Sequence, residues 1–131
     1  IEDAAAFVER IRIFLPGARN FIVTVPARQE LFSNYDEFNR HFRRYDPATL
    51  RAHIDPQGLR GWTYSYFFHS LYPVARWVLW LKGRRVTRYD VPRSPLARAV
   101  HRILGMVFRL DHALLPAQWK GTSIIATITD R

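Results

Sequence analysis

The chain contains no cysteine, which excludes disulfide frameworks, thiolate zinc sites and cysteine nucleophiles at once. Glycine is sparse: the six residues never occur as G-x-G, so the strand-to-helix turn that lets backbone approach a bound nucleotide is not encoded. Acidic residues are outnumbered, 11 Asp and Glu against 20 Lys and Arg, for a formal net charge of +9 at pH 7. Such an excess attracts nucleic acid, anionic lipid headgroups or phosphorylated substrates without choosing among them. No apolar run is long enough to cross a bilayer; the aromatic stretch over residues 66–81 is too short and is interrupted by Arg76. No H-x-x-x-H or carboxylate spacing suits a metal, His101 and His112 included, and the adjacent His69 and Ser70 lack the third, orienting partner of a hydrolase. The opening IEDAAAFVER has neither a basic nor an apolar leader and reads as an internal starting point of something longer.

What is present is core material. A length of 131 residues with 48% hydrophobic and 15% aromatic content predicts one packed domain rather than a disordered chain. Ala4, Val8, Ile11 and Leu15 recur at helical spacing behind Glu2 and Asp3, and Pro16-Gly17 stops that helix. Phe21 to Val25 is apolar at nearly every position, which predicts a central strand covered on both faces. Asp46 and Pro47 open a helix with Leu50 and Ile54 inward, ending before Pro56. After a turn at Gly58, Trp62, Tyr64 and Tyr66 alternate with Thr63 and Ser65 along a strand from Gly61 to Phe67. A helix over LYPVARWVLWLKG, a basic connector KGRRVTRYDVPRSP, a second helix from about Leu96 to Leu110 and a last strand in GTSIIATITD complete the chain.

About three strands are too few for so much apolar and aromatic surface, so a partner half of the sheet is expected to lie outside these residues. Self-association through the exposed sheet edge is the corollary.

The order of these motifs resembles the carboxyl-terminal half of class I SAM-dependent methyltransferases, in the methyltransferase-domain subgroup of which some act on lipid or glycan-lipid substrates. The resemblance rests on Leu15-Pro16-Gly17, on Val25-Pro26-Ala27 closing the buried strand, on Leu31, Ser33, Asp36, Glu37, His41, Arg43, Arg44 and Tyr45, and on Gly121 to Ser123. It departs at Ala18, where a second glycine is usual, and at Pro56, where the family continues its helix. It implies an α/β fold, the substrate-side half of a Rossmann-like sheet, with the last two strands, Gly61–Phe67 and Thr122–Thr129, paired antiparallel. It also implies that residues 1–131 form a single partial domain whose SAM-binding, glycine-rich half is absent, so that S-adenosylmethionine serves the complete protein and is not expected to bind this chain alone. The implied reaction is methyl transfer to a small-molecule or lipid-linked acceptor.

The stretch SNYDEFNRHFRRY, residues 33–45, follows the carboxyl end of a strand, where open α/β folds place ligands. His41 is the candidate catalytic group, as base or hydrogen-bond partner of the acceptor; Asp36, Glu37, Arg43, Arg44 and Tyr45 are the candidate substrate-binding set, the arginines offering forked donors and Tyr45 capping the pocket. The alternative is that the two acids pair with the arginines to fix a long loop. Trp77 and Trp80 are expected to pack in the core or over a pocket, with peripheral contact to an anionic membrane as the other reading of that stretch and its basic connector. A non-enzymatic basic module with Trp62, Tyr64 and Tyr66 as stacking residues is the competing function class, although no RNA-binding signature accompanies it and nucleic acid is not the expected partner. The expected compartment is the cytoplasm, with a peripheral place at a membrane as the alternative.

Overall fold

The computed structural model describes residues 1–55, 61–87 and 93–129. Along them run α1 (Ala4–Phe14), β1 (Asn20–Pro26), a 3-10 turn (Gln29–Leu31), α2 (Asn34–Phe38), α3 (Pro47–Ile54), β2 (Gly61–Phe67), α4 (Leu71–Lys82), α5 (Pro95–Leu114) and β3 (Ser123–Thr129). The helix ends have local causes. The Asp3 carboxylate accepts from the Ala6 amide at 2.9 Å to start α1, and Pro16 follows its end. Asp46 accepts from the Thr49 amide at 2.9 Å and its hydroxyl at 2.8 Å, with Pro47 in the first turn of α3. Those two hydrogen bonds hold the Asp46 carboxyl below its ordinary range. Gly83 closes α4 in the left-handed conformation, φ 62°.

The three strands form one sheet in the order β1-β3-β2, antiparallel at both junctions. Because β3 runs against both neighbours, β1 and β2 point the same way and their carboxyl ends lie at the same edge. Val23, Ala126 and Tyr64 share a register row, as do Pro26, Ser123 and Phe67. On one face Phe21, Val23, Val25, Ile124, Ala126, Ile128 and Tyr66 pack with Val8 of α1, Leu50 and Ile54 of α3, and Tyr45. This is the core, and burial of its apolar area is what ties α1 and α3 to the sheet.

Three expectations change. β1 is an edge strand of the described sheet, not its centre, and burial alternates along it; Ile22 on the outward face is 70% exposed. A β-branched apolar run fits either position, and strand order is decided by β3, whose Ile124, Ala126 and Ile128 take the buried centre. The antiparallel pairing of β2 with β3 is present as expected, but a Rossmann-like sheet is mostly parallel, whereas every neighbouring pair here is antiparallel. The chain is therefore a mixed α/β unit on a small antiparallel sheet. Finally, Trp77 and Trp80 are 61% and 79% exposed, so of the two places expected for them the core is excluded, and they line an open groove with Glu30, Tyr72 and Arg76. The turn at Gly58, the stop at Pro56 and Arg88 of the basic connector lie outside the described residues. The last helix runs on to Leu114.

Candidate functional site

The segment leaving β1 returns to it. The Tyr45 amide donates to the Pro26 carbonyl at 2.9 Å, and the Arg28 amide donates to the Tyr45 carbonyl at 2.9 Å, a parallel bridge that closes residues 27–45 into one loop. Inside it Ser33 and Asp36 form a reciprocal capping box on α2, the Ser33 amide donating to Asp36 Oδ2 at 3.1 Å. Asp36 is fully buried. Its Oδ1 accepts from Arg44 Nε at 2.8 Å and from His41 Nδ1 at 3.0 Å. Arg44, also buried, sends Nη1 to the Ala27 carbonyl at 3.0 Å and the Thr122 carbonyl at 3.5 Å, joining the ends of β1 and β3 to the loop. A buried carboxylate and guanidinium each need such full partnering, and here they supply it to one another.

With Nδ1 donating to the carboxylate, the His41 ring keeps Nε2 as its basic nitrogen, oriented from behind by Asp36. His41 lines a cleft of about 330 Å³ at the carboxyl ends of β1 and β2, together with Thr24, Pro26, Tyr35, Arg44, Phe68 and Arg85. It also lines a larger, apolar cavity of about 520 Å³ between α1, β1 and α3. One ring thus stands where a cleft of mixed lining, with Arg44 and Arg85 in its wall, meets an apolar cavity.

The six candidates divide accordingly. Asp36, His41 and Arg44 are brought together. Arg43 turns toward α1, where Nη2 donates to the Glu2 carbonyl at 3.0 Å, and lines the apolar cavity. Tyr45 is buried in the core with its ring edge-on to His53 at 5.7 Å, so it does not share the cleft lined by His41 and Arg44. Glu37 is exposed on α2. Of the three β2 aromatics, Tyr66 is buried beneath the Arg28 guanidinium, 4.7 Å from its ring centre, and burial raises its phenol above the usual value against the opposing pull of Arg28.

Some members of the cleft carried no expectation. Asn34 reaches across 51 positions to pair with the Arg85 backbone, Nδ2 donating to its carbonyl at 2.9 Å and Oδ1 accepting from its amide at 2.8 Å. The Arg85 guanidinium lies over the Tyr35 ring at 4.3 Å. Phe68 holds a left-handed backbone, φ 58°, and packs on Phe108 of α5 at 5.0 Å. The Ser33-x-x-Asp36 capping box was a readable signal for α2; nothing local announces the Asn34–Arg85 pair.

A second buried acid anchors the far side. Asp111 of α5 accepts from the amides of His69 at 2.8 Å and Ser70 at 2.6 Å, capping α4, whose own N-cap side chain makes no such bond. Burial works to raise the Asp111 carboxyl, yet the two amide donors win and hold it below its ordinary range.

No family model, curated protein or solved structure matches this chain.

Proposed function

We propose that the chain is the acceptor-side half of a SAM-dependent methyltransferase acting on a small-molecule or lipid-linked substrate. The observation that carries the reading is the Asp36–His41 pair on the wall of a cleft at the shared carboxyl ends of β1 and β2. Two further features support it: β2 and β3 pair as the resemblance implies, and the apolar cavity that adjoins His41 suits the hydrophobic part of a lipid-linked acceptor. His41 then takes the proton of the acceptor oxygen or nitrogen at Nε2, Asp36 stabilising the charged ring, while Arg44 holds the loop in register.

SAM itself does not fit the residues present. The turns leaving β1 and β2 are Ala27-Arg28 and Phe68-His69, with no glycine for close backbone approach. Of the carboxylates in the loop that follows β1, Glu30 is engaged with the Tyr72 hydroxyl at 3.1 Å and Asp36 with His41 and Arg44, and Glu37 is exposed on α2. The cofactor side then comes from outside these residues, across one of the two sheet edges, β1 or β2, that are unpaired among the described residues.

Calorimetry tests this directly. The 131-residue chain titrated with SAM is expected to give no binding heat, and a fusion supplying a glycine-rich half on the amino side is expected to bind SAM and label lipid-linked acceptors. In that fusion His41→Gln should lower transfer about 10²-fold. Micromolar SAM binding by the chain alone would overturn the proposal.

A further inference from the structure

Helices α4 and α5 both carry large apolar side chains that are exposed. On α5, Leu96, Val100, Ile103, Val107, Leu110 and Leu114 fall at intervals of three and four, one stripe along a helix of 20 residues, and all six are at least 40% exposed. Arg98, Arg102 and Arg109 fall on the opposite side of the same helix, with His101 and His112. The stripe is exposed, whereas the partly buried Phe108 and the buried Asp111 point to Phe68 and to the start of α4. On α4 the buried position is Ala75, while Val74, Trp77, Trp80 and Leu81 are exposed.

Charge accompanies this apolar surface. Residues 71–114 hold nine Lys and Arg against two Asp, so a third of the chain carries +7 of the net +9. No helix among the described residues is long and apolar enough to cross a membrane. A strongly amphipathic helix with a basic polar side, in a segment that also exposes two tryptophans, is instead the pattern of a surface lying in the headgroup region, apolar side down and cations at phosphate level.

We propose that α4 and α5 form a docking surface for an anionic bilayer. Charge complementarity selects this occupant over a second copy of the chain, since two such surfaces would bring +7 against +7. The inference does not rest on the methyltransferase reading. It touches that reading at one point: Asn34 clamps the Arg85 backbone just past α4, which ties that end of the surface to the loop that carries His41.

The test is co-sedimentation of the whole 131-residue chain with vesicles of phosphatidylcholine alone or with about 30% phosphatidylserine, at about 0.1 M salt and again at about 0.5 M. Binding is expected with the anionic vesicles, at least about tenfold weaker with neutral ones or at high salt, since each basic residue near the surface contributes about fivefold. Ile103→Glu with Val107→Glu places acid in the exposed stripe, so folding is untouched by circular dichroism while vesicle binding falls at least about tenfold. Trp80→Ala should weaken binding and leave SAM calorimetry of the fusion unchanged. Absence of binding to anionic vesicles overturns the inference, as does binding that the double variant leaves intact. So does a stable dimer, seen by sedimentation velocity, that the double variant dissociates.

Discussion

Asp111 offers the sharpest test of how α5 is held. Its carboxylate lies on α5 yet caps α4, accepting two amide hydrogen bonds at 2.8 and 2.6 Å while 5% exposed. Hydrogen bonds to a charged group contribute about 1.5–3 kcal/mol each, and two that share one carboxylate do not add fully. Asp111→Ala should therefore cost about 2–4 kcal/mol at pH 7, and Asp111→Asn about half of that, because the amide keeps one acceptor and turns an NH₂ against the other donor. The folded carboxyl titrates below its unfolded value, so its contribution is complete above the unfolded pKa of about 3.9 and is lost as pH falls through the lower, folded pKa. The gap in urea midpoint between the parent and Asp111→Asn should be widest near neutrality and close below about pH 4. Hydrogen exchange should place the loss at the amides of His69 and Ser70 and through α5 before the sheet. If both variants unfold within about 0.5 kcal/mol of the parent, or if the gap is the same at pH 7 and pH 3, the carboxylate is not what fastens α5.

Other positions yield their own tests. Gly121→Ala puts a Cβ against the Phe67 carbonyl oxygen and 3.0 Å from Phe67 C and N, all backbone atoms that cannot rotate away; thermal melts should show a loss at or above the usual overpacking cost of about 1–3 kcal/mol. Arg44→Met leaves the Asp36 carboxylate buried with one cation partner fewer and should cost about 3–5 kcal/mol, while the double change Asp36→Leu with Arg44→Met should be less damaging than the sum of the single ones, a coupling read from a double-mutant cycle in urea. Asp46→Ala removes the α3 cap and should cost about 1 kcal/mol at pH 7, the difference fading as acid protonates the depressed carboxyl of the parent.

Local chemistry was legible in the sequence and non-local order was not. Helix starts at Asp46-Pro47 and the strand from Gly61 to Phe67 follow from capping and alternation, which a few neighbouring residues determine. The place of β1 at the edge depends on β3, a hundred positions away, and an apolar run cannot announce which partner it will have. The polar cluster at residues 33–45 was visible as a site, and its alternative as a loop fastener was visible too. The fold shows the fastening: Asp36 and Arg44 hold the loop, and His41 bonds the same carboxylate, while Glu37 takes no part in it. Tyr45 could not be placed from sequence, since an aromatic after a basic pair serves equally as a pocket lid or a core plug. Trp77 and Trp80 read as core, pocket wall or membrane contact alike, because the sequence shows that a helix is rich in large apolar residues and not what covers them.

The register at the end of the sheet has a consequence for how this protein can change. Phe67 and Ser123 sit opposite one another across adjacent strands, so everything from residue 68 to residue 122 departs and comes back at a single rung of the ladder. To the sheet this whole excursion is a hairpin connection, and closing a loop twice as long costs only about 0.6 kcal/mol more. Helices could be lengthened, swapped or trimmed there with no strand changing partner, provided that Gly121 still clears the Phe67 backbone and an acid still reaches the start of α4. The segment is in effect a cassette, and variants that differ only in which surface they grip could share one unchanged frame.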